Sequence, residues 1–194
     1  PTDAWLIDFG VDMDEKQAML FEAPYKHLKA KIASAGKRRE KAAQGTWWRH
    51  QRSRPQMRKA LAPLTRWLAT PEVSKHRVFA WMSPAMLPSG SVYAIAREDD
   101  FAFGLLQSKI HEVWALRAGT RMGVGNDPRY TSTTTFEAFP FPDGLTPNLP
   151  LDTVLSDPRV KKIAELGKTL SDRRNAWLNP PQWVEWVEEP VAGY

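Results

Sequence analysis

The 194-residue sequence contains no cysteine and no long apolar run. The lack of cysteine excludes disulfide frameworks, thiolate zinc sites and cysteine nucleophiles, and it fits a reducing compartment. No stretch approaches the roughly 18 consecutive apolar residues that a membrane-spanning helix needs, and no secretory leader is recognisable at the start. We therefore expect a cytoplasmic protein with no membrane association. Because the chain opens without methionine, directly on strand-like apolar residues, we interpret it as a piece of a longer protein.

The positive charge of the chain is concentrated in one region. Residues 26–59 carry twelve Lys and Arg against the single acid Glu40, whereas residues 1–25 carry six acids and one Lys. Such a surplus is unfavourable unless an anion is near, and nucleic acid is the commonest such partner. Arginines neutralise phosphates, and indoles can stack on bases; here we expect Trp47 and Trp48 mainly to pack. The arginines of this region are the predicted phosphate ligands: Arg38, Arg39, Arg49, Arg52, Arg54 and Arg58.

Hydrophobic patterning predicts an α/β (α+β) fold in which a small mixed or curved sheet is flanked by helices. Strands are expected over residues 5–9, 78–81 and 92–96. Helices are expected over residues 15–32 with a break at Pro24, over 55–68, and over 101–117 with Gly119 as the stop. A Pro/Gly/Asn-rich linker then leads to a helix that begins at Asp157, with an apolar stripe. The predicted organisation is a main domain over residues 1–142, followed by a linker and C-terminal helical segment over residues 143–194.

Three groups of residues resemble catalytic or metal sites but favour structural roles. Asp99 and Asp100 precede a predicted helix, where acids cap free N–H groups and complement the helix dipole. His111 lacks the second histidine of a zinc-binding HExxH helix. The sequence Asn-Pro-Pro-Gln at residues 179–182 has Gln182 where the tetrad of amino-directed DNA methyltransferases has an aromatic residue, so we interpret it as a helix stop. No catalytic or metal-binding residue is predicted.

The segment over residues 119–142, GTRMGVGNDPRYTSTTTFEAFPFP, is the best candidate for contact with DNA. Its glycine-rich turn is not followed by the helix that a dinucleotide or S-adenosylmethionine loop requires. Its five consecutive Ser and Thr residues predict a strand, and the turn is expected to be exposed. A second polar cluster stands before the strand at residues 78–81. The predicted base contacts come from these two regions: Lys75, Arg77, Asn126, Arg129, Thr131 and Thr133.

Five segments carry a resemblance to a known family: WWRHQRSRPQMRKAL, TPEVSKHRVFAW, IAREDDFAFGLLQSKIHEVWALRAG, GVGNDPRYTSTTTFEAFPFP and WLNPPQW. In this order they are similar to the C-terminal part of MmeI-like, Type IIL restriction–modification enzymes, which are large bacterial class I adenine-specific DNA methyltransferases. The resemblance covers essentially the whole chain. It implies that residues 1–142 are a target recognition domain and that residues 143–194 are the helical segment that follows it.

The resemblance implies that this chain holds double-stranded DNA for a catalytic domain that precedes it in the parent protein. In such enzymes that N-terminal domain binds S-adenosylmethionine and transfers its methyl group to adenine. This chain has neither the glycine-rich cofactor motif nor the catalytic tetrad, so we expect no cofactor and no methyl transfer from it alone. The alternative from another class is a protein-interaction module that docks methyltransferase or restriction subunits, with an incidental basic face. A free-standing enzyme using Asp99, Asp100 and His111 is the third hypothesis.

Overall fold

The chain folds as two units, residues 1–60 and residues 61–194. The computed structural model describes residues 6–34 and 45–185. Arg38 and Arg39, and most of the small basic segment around them, lie outside the described residues. None of the described helices is long and apolar enough to cross a membrane.

The first unit opens with two short helices, α1 (Glu15–Leu20) and α2 (Glu22–Ser34). The Asp14 side chain accepts a hydrogen bond from Gln17 N at 2.8 Å, and the Gln17 side chain accepts one from Asp14 N at 3.2 Å, which forms a capping box. The predicted break at Pro24 is displaced, because the interruption falls at Phe21. Proline is tolerated in the first turn of α2, where its missing N–H has no intrahelical partner.

The core of the first unit is aromatic. Phe9, Ala18, Tyr25 and Trp48 are buried together, and Trp47 packs against them, which confirms that the tryptophans pack. The strand predicted over residues 5–9 is wrong for its described part, since residues 6–9 form no regular element. Phe9 is buried by side-chain packing alone.

The predicted helix over residues 55–68 is too long. Helix α3 (Pro55–Leu61) begins at the predicted proline, but Trp67–Pro71 is the strand β1. Trp67 and Leu68 are buried almost completely, and their apolar character alone does not distinguish a buried strand from the end of an amphipathic helix.

Strand β1 is the centre of a three-stranded sheet. It pairs antiparallel with β2 (Ala80–Met82) on one side and with β3 (Val92–Ile95) on the other, so both predicted strands of this region are confirmed with small changes at their ends. A separate hairpin is formed by β4 (Arg121–Met122) and β5 (Asp127–Pro128). The α+β class is confirmed, and every described strand pair is antiparallel.

The long helix predicted over residues 101–117 is in fact two helices, α4 (Asp100–Leu106) and α5 (Lys109–Ala118). The break occurs because the Ser108 side chain caps α5 by accepting a hydrogen bond from His111 N. Asp99 caps α4, as predicted, and Gly119 ends α5. A side chain at Gly119 would approach Arg129 O within 2.4 Å, so only glycine fits there.

The C-terminal part contains α6 (Leu151–Val154) and α7 (Pro158–Leu178); α7 begins at Pro158, one residue after the predicted start, and Asp157 is its N-cap. Helix α7 packs closely against α4 through two glycines, Gly167 on α7 and Gly104 on α4. A side chain at Gly167 would approach Asp100 O within 2.5 Å. Val160 lies in a core cluster with Phe101, Leu145 and Val154. The rest of the predicted apolar stripe is only partly buried or exposed.

Candidate nucleic-acid interface

Two segments that are far apart in sequence lie side by side at one edge of the second unit. The connection after β1 (residues 72–77) runs beside the end of the β4–β5 hairpin. Tyr130 N donates to Glu72 O at 2.7 Å, Ser74 N donates to Pro128 O at 3.2 Å, and Val73 forms an antiparallel bridge with Arg129. The structure thus brings together the two regions from which base contacts were predicted. We call this surface the paired edge.

The hairpin projects an exposed turn from the paired edge. Asn126 N donates to Gly123 O at 3.1 Å, and both residues adopt positive φ angles, which glycine and asparagine tolerate best. Arg121 is exposed and donates to Asn126 O. Val124, at the tip, is fully exposed. The turn is therefore an exposed loop at the paired edge, and it contains Asn126.

Arg129 is held by an acid that the sequence prediction did not include. Its Nε and Nη2 atoms lie 2.8 and 2.7 Å from Oε1 of Glu72. About a third of the Arg129 side chain is exposed. Nothing in the sequence signals this pair, because the two residues are 57 positions apart and come together only through the Val73–Arg129 bridge.

The polar cluster before β2 divides into exposed and buried side chains. Lys75 and His76 are exposed. Arg77 is only 3 % exposed, and its guanidinium donates to Thr70 Oγ1, Pro71 O and Pro128 O. Arg77 is therefore poorly placed for the base contact predicted for it. It instead ties β1 to β5 beneath the paired edge.

A buried Arg–Tyr–His cluster supports this edge from inside. The guanidinium of Arg77 lies 4.8 Å from the ring centroid of Tyr130, and burial lowers the pKa of Arg77. Tyr130 Oη lies 3.1 Å from His111 Nε2, and His111 Nδ1 lies 2.7 Å from Leu106 O. A carbonyl only accepts, so Nδ1 carries the proton and Nε2 accepts from tyrosine. Burial lowers the pKa of His111 to about 4, and the predicted structural role of this residue is confirmed.

The threonine-rich segment is not the predicted strand. Ser132–Glu137 is a π-helix, and Thr131 caps it by accepting from Thr134 N. The Thr135 side chain is buried and donates to Thr131 O. Threonine side chains here bond to the local backbone, which competes with strand pairing. Thr131 is thus a helix cap, and Thr133 is exposed on the π-helix.

The predicted phosphate ligands of the first unit fall into two classes. Arg49 donates to the carbonyls of Val11 and Met13, at 2.7 and 2.8 Å. Arg58 forms an ion pair with Asp8 at 2.6 Å. Both therefore hold the first unit together. Arg52 and Arg54 are exposed, and they keep the predicted role as a hypothesis.

Asp8, the acid of the ion pair with Arg58, has a perturbed pKa. Burial alone would raise the pKa of Asp8, but hydrogen bonds from Arg58 and from Gly10 N lower it overall. Asp8 is therefore ionised at neutral pH, and Arg58 satisfies it. The Arg58 guanidinium is therefore engaged in a contact within the first unit.

The other candidate sites are structural. Asp99 accepts from Ala102 N at 2.8 Å as a helix cap and also pairs with Arg97. Asn179 ends α7 through its N–H, as predicted. Among the described residues there is no group of three or more His, Asp and Glu side chains that could hold a metal ion.

The family model described as "MmeI, target recognition domain" matches residues 16–143. The chain belongs to the MmeI target recognition domain family. The match contains the whole paired edge and the exposed arginines of the first unit. It ends at residue 143, before helix α7.

A solved structure of the Type IIL restriction–modification enzyme MmeI in complex with DNA is similar to the chain, with 18 % identity and a TM-score of 0.45. The similarity covers 88 % of this chain and 27 % of that chain, so this MmeI-type chain spans about a quarter of the length of the structure it matches. No curated protein matches the chain.

Proposed function

We propose that this chain recognises a specific sequence in double-stranded DNA as part of a restriction–modification enzyme. The paired edge carries the proposal: within a target recognition domain it presents Lys75, Arg121, Asn126 and Arg129 from two adjoining segments. Arginine and asparagine make the commonest specific contacts to guanine and adenine in the major groove. A surface built from several such side chains suits base reading.

The proposed contacts divide between bases and phosphates. The exposed side chains of the paired edge, with Arg129 foremost, read bases. Arg52 and Arg54 neutralise phosphates, together with Arg38 and Arg39 from outside the described residues. Phosphate contacts position a protein on the duplex, whereas base contacts specify sequence. Thr133 stays a candidate base contact because it is exposed beside the paired edge.

The parent protein is proposed to be a bacterial, cytoplasmic, S-adenosylmethionine-dependent adenine methyltransferase. Its N-terminal domain would bind the cofactor and carry out the transfer, while this chain holds the duplex against it. The described residues do not suit the cofactor. The Gly123–Gly125 turn joins two antiparallel strands, whereas dinucleotide-type loops join a strand to a helix. The Asn179–Gln182 segment follows a helix and lacks the stacking aromatic residue.

The test compares the sequence preference of the wild-type chain with that of two matched arginine variants. Duplexes would be selected from a randomised library by the wild-type chain, and affinities for selected and random duplexes would be compared. Arg129→Ala should lower the preference for one base pair by about tenfold, because a bidentate arginine–guanine contact is worth roughly 1–3 kcal/mol. Arg173→Ala is the control, since Arg173 is exposed on α7, beyond the paired edge. A wild-type chain that binds no duplex would refute the proposal.

A second function, docking to another subunit, is favoured by one surface of α7. Leu166, Leu170 and Trp177 recur at helical spacing on this helix and are exposed, Trp177 by 79 %. Exposed apolar stripes mark interaction surfaces. DNA binding would weaken steeply with salt, whereas apolar docking would not, so binding assays at two salt concentrations separate the two functions.

A further inference from the structure

The ion pair between Glu72 and Arg129 is anchored at both backbones. Tyr130 N donates to Glu72 O at 2.7 Å, so the residue next to Arg129 is bonded to the peptide that carries the acid. Val73 and Arg129 also face each other in a β-bridge. The backbones of the two residues are therefore fixed relative to each other, and the ion pair between their side chains reduces free rotation of the long arginine side chain.

The acid uses one side of the guanidinium and leaves the other available. Nε and Nη2 of Arg129 both lie close to Glu72 Oε1, at 2.8 and 2.7 Å. A guanidinium carries five N–H donors. The remaining ones, on Nη1 and Nη2, form the end of the fork, and no other acceptor among the described residues takes them. That end has the geometry that guanine O6 and N7 accept in the major groove.

We propose that Glu72 is a specificity-determining residue, which orients the Arg129 fork toward one guanine. The inference rests on the proposed DNA recognition. Glu72 contacts no base in this role; it acts through Arg129 and is a positioning residue. Orientation matters because a guanidinium that rotates freely contacts phosphates and several base edges, so it adds affinity without choosing a sequence.

The position of Glu72 favours a role in sequence specificity, rather than a role in DNA affinity or in fold stability. A partly exposed ion pair contributes little to folding stability. A carboxylate beside a DNA phosphate chain is repelled by it. Glu72 therefore weakens binding to every duplex alike, and this general loss is offset only where the oriented arginine meets its base.

The experiment compares Glu72→Gln, Glu72→Asp and Arg129→Ala in the full chain, using random-sequence duplex and the duplex selected by the wild type. Glu72→Gln removes the repulsive charge and loosens Arg129. We expect its affinity for random duplex to rise several-fold, while the preference at one base pair falls by about tenfold. A purely structural role would not move these two quantities in opposite directions. Glu72→Asp keeps the charge but shortens the reach, so it should lose the preference without gaining affinity.

The pairing is tested by the double variant and by a matched acid. In the Arg129→Ala background, Glu72→Gln should have no further effect on base preference. Glu112→Gln is the control, because Glu112 pairs with Lys109 on α5, in another part of the same unit. The inference is overturned if Glu72→Gln keeps the wild-type preference, or if Arg129→Ala keeps it. A wild-type chain that shows no sequence preference overturns the proposed function as well.

Discussion

At the scale of single residues, the most consequential side chain is the buried Arg77. Its two terminal nitrogens donate to uncharged oxygens of Thr70, Pro71 and Pro128, and its guanidinium lies over the face of Tyr130, whereas its Nε is buried without a hydrogen-bond partner. A buried charge without an ionic partner is energetically unfavourable. We therefore expect Arg77 to hold β1 and β5 in position beneath the paired edge and to add little to the free energy of unfolding. Arg77 was a candidate base contact because a polar cluster before a strand can aim side chains into a groove, but its side chain is buried in the folded chain.

His111 makes the second unit sensitive to acid. Its pKa is about 4 in the folded chain, against an ordinary value of 6.5, because burial disfavours the charged ring. Between these pH values the unfolded chain binds a proton that the folded chain excludes. The free energy of unfolding should therefore fall as pH drops from about 6.5 toward 4, by about 3 kcal/mol in full. Urea unfolding at several pH values measures this loss.

A variant that lacks only the His111 imidazole separates this effect from the titration of carboxylates. His111→Gln should have a lower stability at neutral pH but a shallower decline between pH 6.5 and 4. An equal decline in both proteins would show that other groups carry the acid sensitivity.

At the scale of elements, caps and stops were the most predictable features. The Asp99 cap of α4, Pro55 at the start of α3, Asp157 ahead of α7 and the Gly119 stop were all found where the residue types placed them. These signals are local, so a single sequence carries them. The strand β1 and the π-helix at Ser132–Glu137 depend on distant packing and on side-chain capping, respectively, and propensity alone misassigned both.

The contact between α4 and α7 depends on glycine. A Cβ at Gly167 would stand 2.5 Å from Asp100 O and 2.9 Å from Gly104 Cα. Gly167→Ala should therefore lower the free energy of unfolding by about 1–3 kcal/mol, although alanine is the better helix former by about 1 kcal/mol. Gly90→Ala is the matched control, because no atom lies within 4 Å of its added Cβ. Thermal unfolding of both variants tests this, and equal midpoints would contradict the close packing.

At the scale of the whole molecule, the concentrated positive charge and the paired edge belong to different units. The basic surplus and its exposed arginines lie in the first unit, while the paired edge lies in the second. The location of the basic surplus and of the polar, glycine-rich segment is visible in the sequence, because both are matters of composition. The sequence did not predict which arginines are used internally, since Arg49 and Arg58 find their partners only after folding.

Salt dependence should distinguish these two kinds of arginine. Arg52→Ala and Arg54→Ala should each weaken binding to all duplexes and reduce the salt slope by about one. Arg49→Ala should instead lower the stability of the first unit, because it leaves the carbonyls of Val11 and Met13 without their donor. Binding isotherms at several salt concentrations, together with unfolding curves, decide the assignment. A steeper or unchanged slope for Arg52→Ala would contradict its role.

The exposed hairpin turn at residues 123–126 has a consequence for how the sequence and length of this loop can vary. Its tip residue Val124 is fully exposed, whereas Gly123 and Asn126 hold positive φ angles that few other residues adopt. The entropic cost of closing a loop grows only slowly with its length. Residues can therefore be exchanged or inserted at Val124 with little effect on the fold, so the length of the loop can change while the strands that hold it do not.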